Sequence, residues 1–250
     1  ATVELYEYFF GALLGAELTQ RQGLIFRYLA RLLIEIPGAT IHTLRELMED
    51  GEKFLPYMEQ LSGTARAFFA TRFFDRSFNE TKKQILARLW GVLSNSALER
   101  MFSHKESKVD LFDLLNSGKI IFINTAKDLL GHDGSAIFGR FFVALIAQAA
   151  VQRSAIPAHE RNPAFVYIDE AQDYFDESIA NLLTQARKYR VGLVFAHQSL
   201  DQLGPELRGS VLANTTIKFA GGVSAKDATA VAQELRCESE FVLAQKRGAK

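Results

Sequence analysis

Asp169 and Glu170 stand side by side directly after the apolar run Phe165-Val166-Tyr167-Ile168 and before a polar turn that continues Ala171-Gln172. Two carboxylates at the tip of a buried strand form the Walker B arrangement. The first can hold Mg2+, directly or through water, and the second can orient or polarise an attacking water. The plainer alternative is a pair of solvated turn carboxylates, or an aspartate that caps the next helix. A second polar pair, His197-Gln198, follows the apolar run Val191 to Ala196. A neutral amide there could sense a γ-phosphate; equally, the segment could be an ordinary helix start in which Ser199 caps toward Gln202. Arg187, Lys188 and Arg190 close the helix before this second run, where the helix dipole favours positive charge.

A nucleoside triphosphatase also needs a loop of the form Gly-x-x-x-x-Gly-Lys-Ser/Thr to cradle phosphates. The sequence contains none. Gly118-Lys119 is followed by Ile120 and an expected strand, and Gly131-His132-Asp133-Gly134-Ser135 lacks the lysine; both are read as loops. His42, His104, His132, His159 and His197 show no metal-ligand spacing. One cysteine, Cys237, excludes a disulfide framework and a cysteine-rich zinc site and fits a reducing compartment.

The elements that must position these residues fall into two textures. From Leu24 to Ile36 the apolar residues recur every 3.6 positions, with Thr19 and Gln22 forming a capping box and Pro37-Gly38 ending the helix. Thr43 with Glu46 marks the start of a short helix, and another helix runs from Asn79 through Leu93. Residues 1–108 therefore read as an all-helical unit. Beyond Val109, short apolar runs at Ile120–Ile123, Phe165–Ile168, Val191–Ala196 and Ile217–Ala220 alternate with helical patterns at 136–151, 176–189, 205–212 and 224–235. Strands apolar on both faces and separated by helices predict an α/β fold with a mostly parallel sheet covered on both sides, whose ligands bind at the carboxyl edge.

The 250 residues, 48% hydrophobic and 23% charged, are enough for one large globular domain or two small ones. Lys plus Arg and Asp plus Glu each total 29, so there is no global field to attract nucleic acid or lipid. A local basic patch stays open. Glu4 and Glu7 near the start do not resemble an export signal, and the apolar stretch 136–151, broken by Arg140 and Gln148, falls short of the roughly 20 residues that cross a bilayer. It is read as a buried helix, with no membrane contact by this chain. The lack of an initiator methionine and the plain Lys246–Lys250 tail suggest a portion of something longer.

Ala164 to Leu203, AFVYIDEAQDYFDESIANLLTQARKYRVGLVFAHQSLDQL, resembles the ATPase core of conjugative type IV coupling proteins of the FtsK/HerA superfamily. The likeness lies in the order of an apolar strand, a DE-x-Q turn, a helix ending Ala-Arg-Lys, and an apolar strand ending in glutamine and serine. The resemblance implies a RecA-like P-loop NTPase core at 109–250 and an all-α inserted domain at 1–108. It implies Asp169 as the Mg2+ ligand, Glu170 as the catalytic glutamate, Gln198 as the γ-phosphate reader and Arg187 as an arginine finger presented to a neighbouring subunit's nucleotide. The cofactors would be ATP and Mg2+. The implied activity is ATP-driven movement of single-stranded DNA, with its attached relaxase, toward a secretion channel. The protein would be a hexamer with DNA in its pore, at the cytoplasmic face of the bacterial inner membrane. The missing phosphate loop and membrane anchor are expected to lie upstream of Ala1. A superfamily I helicase also often carries Asp-Glu-Ala-Gln-Asp, as at 169–173, but Phe195-Ala196-His197-Gln198 replaces the Gly-Asp-x-x-Gln motif expected next. A non-catalytic assembly or DNA-binding module that kept the motor fold is the reading from a different class.

Overall fold

The computed structural model describes Phe10, residues 19–175 and residues 177–245. Glu4, Glu7, Asp176 and the Lys246–Lys250 tail lie outside the described residues. The chain divides into two compact units, one formed by residues 1–114 with 119–148 and the other by 115–118 with 149–250.

Among the described residues, the regular elements of the first unit are helices. Helix α1 (Gln20–Glu35) begins with the expected capping box: Gln22 N–H donates to Thr19 Oγ1 at 3.3 Å and Thr19 N–H to Gln22 Oε1 at 3.1 Å. Its buried face includes Ile25, Leu29, Leu32 and Leu33 of the periodic set, together with Phe26, whereas Leu24 of that set is 40% exposed. Helix α2 (Ile41–Glu49) starts earlier than Thr43, because Thr40 is the cap and Thr43 its reciprocal partner; Thr40 N–H donates to Thr43 Oγ1 at 3.1 Å. Helices α3 (Leu55–Gln60), α4 (Gly63–Thr71), α5 (Asn79–Leu93) and α6 (Ser96–Phe102) follow. They close a core rich in phenylalanine, with Phe68, Phe69, Phe73 and Phe78 all buried and in mutual ring contact. Trp90, on the apolar pattern of α5, is half exposed instead, with the Arg45 guanidinium 5.1 Å from its ring.

Helix α7 (Leu111–Asn116) precedes the long helix α8 (Lys127–Gln152). The glycine-containing stretch 131–135, expected as a loop, is helical apart from a break at Gly131, whose φ of 69° suits a residue without a side chain. The Asn95 side chain donates to Leu130 O at 2.8 Å at this break while its Oδ1 caps α6. Even with the break at Gly131, the helical stretch is by length and composition alone long and apolar enough to cross a bilayer, unlike the 16-residue stretch expected. Val143, Ala144, Ile146, Ala149 and Ala150 within it are buried by protein.

In the second unit, strands β1 (Ala164–Ile168) and β2 (Val191–Phe195) pair in parallel, with Phe165 opposite Gly192 and Ile168 opposite Phe195. Helix α9 (Glu177–Gln185) and a 3-10 turn (Ala186–Tyr189) connect them, and α9 packs against helix α10 (Pro205–Asn214). Helix α11 (Ala225–Leu235), capped by Ser224, packs on α12 (Ser239–Leu243). The α/β class and the parallel pairing are as expected, but the sheet differs in extent. Ile120–Ile123 and Ile217–Ala220 are irregular, with Phe122 and Phe219 93% and 96% exposed. The sheet is also covered on one face only: Phe165, Tyr167 and Val194 on the other are exposed. Apolar composition suits a strand, yet a strand exists only where its main-chain groups find a partner, and among the described residues those two runs have none.

Candidate active site

The parallel ladder continues past both strands and brings their carboxyl ends together. Ala196 N–H donates to Ile168 O at 3.0 Å and Ala171 N–H to Ala196 O at 2.8 Å, so the turn after β1 is stitched to the turn after β2. Asp169 and Glu170 occupy the first turn, Gln198 the second. The rings of Phe195 and Phe175 meet edge to face at a centroid distance of 5.0 Å, and buried Ala171 opens a short 3-10 helix (Ala171–Asp173).

Glu170 has left-handed backbone, φ 48° and ψ 45°. That conformation is unusual for a residue with a side chain. Its carboxylate is received by two amides. Gln198 Nε2 donates to Oε1 at 2.8 Å and to Oε2 at 3.1 Å, and Gln172 Nε2 donates to Oε2 at 2.5 Å. Asp169 is exposed, and its Oδ1 accepts the Glu170 N–H at 3.0 Å. One carboxylate is thus fixed by side-chain amides and its neighbour faces solvent.

The hydroxyl of Ser199 accepts from Asp201 N–H at 3.2 Å while Gln202 Oε1 accepts from Ser199 N–H at 3.0 Å. The cap at this strand tip therefore forms, and Gln198 reaches Glu170 as well; the two readings of this segment are compatible. His197 Nδ1 is buried there without a hydrogen-bond partner.

Arg187 is not brought to these residues. It sits exposed on the 3-10 turn that leads into the amino end of β2, the opposite edge of the sheet. A five-residue strand separates the two edges by roughly 15 Å. Within one chain Arg187 and Glu170 therefore do not share a site.

Gln172 joins the site without having been assigned a role from sequence. The signal was present in the DE-x-Q spacing, but only the left-handed turn at Glu170 folds the side chain two residues on back onto the carboxylate.

The donor set suits Mg2+ more than a site made by protein alone. A magnesium ion is commonly held by one or two carboxylates, with phosphate oxygens and water completing its octahedron. Asp169 can supply such a ligand, and the described residues contain no cluster of three or more histidine, cysteine or acidic side chains.

Neither any protein-family model nor any curated protein matches the sequence. Among solved structures, plasmid coupling protein TrwB in complex with the non-hydrolysable GTP analogue GDPNP superposes with a TM-score of 0.66 at 16% identity, covering 98% of this chain and 64% of TrwB. This chain has the fold of the coupling protein TrwB. TrwB in complex with ADP and Mg2+ gives 0.61 at 16% identity, covering 94% and 58%, and the unbound form of TrwBdeltaN70 gives 0.60 at 17%, covering 92% and 55%. The fold is accordingly α/β, that of TrwB, and the resemblance read from residues 164–203 holds at the level of fold. The chain spans between 55% and 64% of the length of these TrwB structures.

Proposed function

We propose that the chain is the water-activating portion of an ATP-driven DNA translocase of the conjugative coupling type. The observation that carries this reading is the juxtaposition of Asp169 and Glu170 with Gln198 at the carboxyl ends of two adjacent parallel strands. TrwB structures with ADP and Mg2+ and with a GTP analogue give it further support.

In this reading Asp169 holds Mg2+, which when bound neutralises charge on the phosphates. Glu170 orients and deprotonates the attacking water. Gln198 bridges Glu170 and the γ-phosphate position, so that displacement of one is felt by the other. Arg187, on the far edge, serves the nucleotide of a second copy, as a symmetric ring requires. The assembly would be a hexamer with single-stranded DNA in its pore, working with relaxase and secretion-channel proteins at the cytoplasmic face of the inner membrane. In this reading residues 1–108 would be the inserted domain and 109–250 the core portion. The absence of a phosphate-cradling motif favours a second reading, in which the chain is a non-catalytic module with a motor fold.

Hydrolysis of ATP by the intact gene product, stimulated by single-stranded DNA, separates the two. Glu170→Gln is expected to abolish turnover while leaving Mg2+-ATP binding in place. An intact product that neither binds nor hydrolyses ATP leaves the module reading standing and the motor reading overturned.

A further inference from the structure

The turn that carries Arg187 is fastened by guanidinium groups. Arg153, entirely buried, donates from Nη1 to Arg190 O at 3.3 Å and from Nη2 to the carbonyl of Asn162. Arg161 donates from Nε to Ile156 O at 2.8 Å and from Nη1 to Lys188 O at 2.7 Å. Arg190 returns a bond from Nη1 to Arg161 O at 2.9 Å. Every one of these acceptors is a main-chain carbonyl. Two of them, Lys188 O and Arg190 O, belong to the short stretch that follows Arg187, and Arg190 reverses the chain into β2 with a left-handed φ of 56°.

Among the described residues, no carboxylate lies within ion-pairing distance of Arg153, Arg161 or Arg190. Burial, and then the positive charges of Arg161 and Arg190, hold the Arg153 guanidinium below the ordinary arginine range. Neutral amides could donate to the same carbonyls without this mutual repulsion. Three uncompensated cations behind an exposed arginine make chemical sense where an anion is to arrive, since their field at the turn then becomes attractive.

We propose that Arg161, backed by Arg153, is a positioning residue that holds the Arg187 turn rigid and electropositive for an oligophosphate carried by a second copy of the chain. The inference rests on the reading of Arg187 as acting between copies. Arg161 acts by gripping the carbonyl of Lys188, the residue next to Arg187, so the finger is presented at one position and not sampled from a mobile loop. Arg153 fixes the other end of the same stretch through Arg190 O.

The test is subunit mixing with the intact gene product, reading steady-state ATP turnover. Arg187→Ala is expected to lose about a thousandfold, the order typical for an arginine finger. Arg161→Gln is expected to lower kcat about tenfold, as a displaced catalytic group does, with KM for ATP unchanged. Arg161→Lys, which can reach only one of the two carbonyls, is expected to fall between it and the parent, and it keeps the test usable if the glutamine variant does not fold. Assemblies mixed from Arg161→Gln and Glu170→Gln subunits are expected to turn over faster than the sum of the two alone, because some boundaries then pair an intact Glu170 with an intact Arg161. A purely structural defect would give no such recovery. Full turnover in both Arg161 variants, or an effect confined to KM, overturns the proposal. So does recovery in the Arg187→Ala and Glu170→Gln mixture without recovery in the Arg161 mixture. If Arg187→Ala itself hydrolyses ATP normally, the reading of Arg187 between copies fails, and this inference falls with it.

Discussion

The side-chain amide of Gln198 donates to both carboxylate oxygens of Glu170, at 2.8 and 3.1 Å, across the gap between two adjacent strand ends. Gln198 thus limits where Glu170 can point, and any ligand that draws the amide away changes the acid's surroundings. Without Gln198 the carboxylate keeps its bond from Gln172 but loses its link to the second strand. Gln198→Ala in the intact gene product is expected to lower ATP turnover about a hundredfold, the scale of a mispositioned general base. Binding of Mg2+-ATP should stay close to that of the parent, as read by equilibrium titration. A variant with unchanged turnover would show that the contact is incidental.

The Phe165 ring lies against Gly192 on the neighbouring strand. A Cβ built at Gly192 would come within 2.7 Å of the ring, so the ring would have to leave its place on the strand. Gly192→Ala is therefore expected to destabilise the chain by about 1–3 kcal/mol, as overpacking typically does, measured by denaturant unfolding. Pairing it with Phe165→Ala should recover most of that loss in a double-mutant cycle. Additive effects of the two substitutions would contradict the contact.

Asp75 caps a short 3-10 turn (Arg76–Phe78) by accepting the Ser77 N–H at 2.8 Å, and the bonds from Ser77 hold its carboxyl below the ordinary aspartate range. A depressed carboxylate contributes stability above its unfolded pKa and loses it as pH falls through its folded pKa. Asp75→Ala is thus expected to lower the melting temperature at about pH 7, with the gap to the parent narrowing as the pH drops below the ordinary aspartate value of about 3.9. A gap independent of pH would place the effect of Asp75 elsewhere than in its charge.

Much of the site could be read from the residues in order. A four-residue apolar run followed by two carboxylates has few places to go in an α/β chain except a strand tip, and Asp169, Glu170 and Gln198 all lie at such tips. Capping chemistry was equally legible: Thr19 with Gln22 and Ser199 with Gln202 act locally, within three residues of their partners. Thr40 was missed because two threonines three residues apart can each be taken for the cap. The runs 120–123 and 217–220 were misread because β propensity describes a side chain's fit to a sheet, whereas a strand depends on a distant partner. Arg153 and Arg161 were invisible for a related reason. Their acceptors are carbonyls, which every residue carries, so no residue type at any spacing announces the bond.

The left-handed turn at Glu170 has a practical meaning for anyone hardening this protein. Glycine adopts that backbone freely, and glutamate there costs on the order of 1 kcal/mol or more. A search for thermostable variants guided by backbone preference would rank Glu170→Gly near the top, and its melting curve would seem to reward the choice. On the function proposed for Glu170, the hardened product would lack its water-activating acid, so selection for heat resistance alone would then steer the chain toward inactivity.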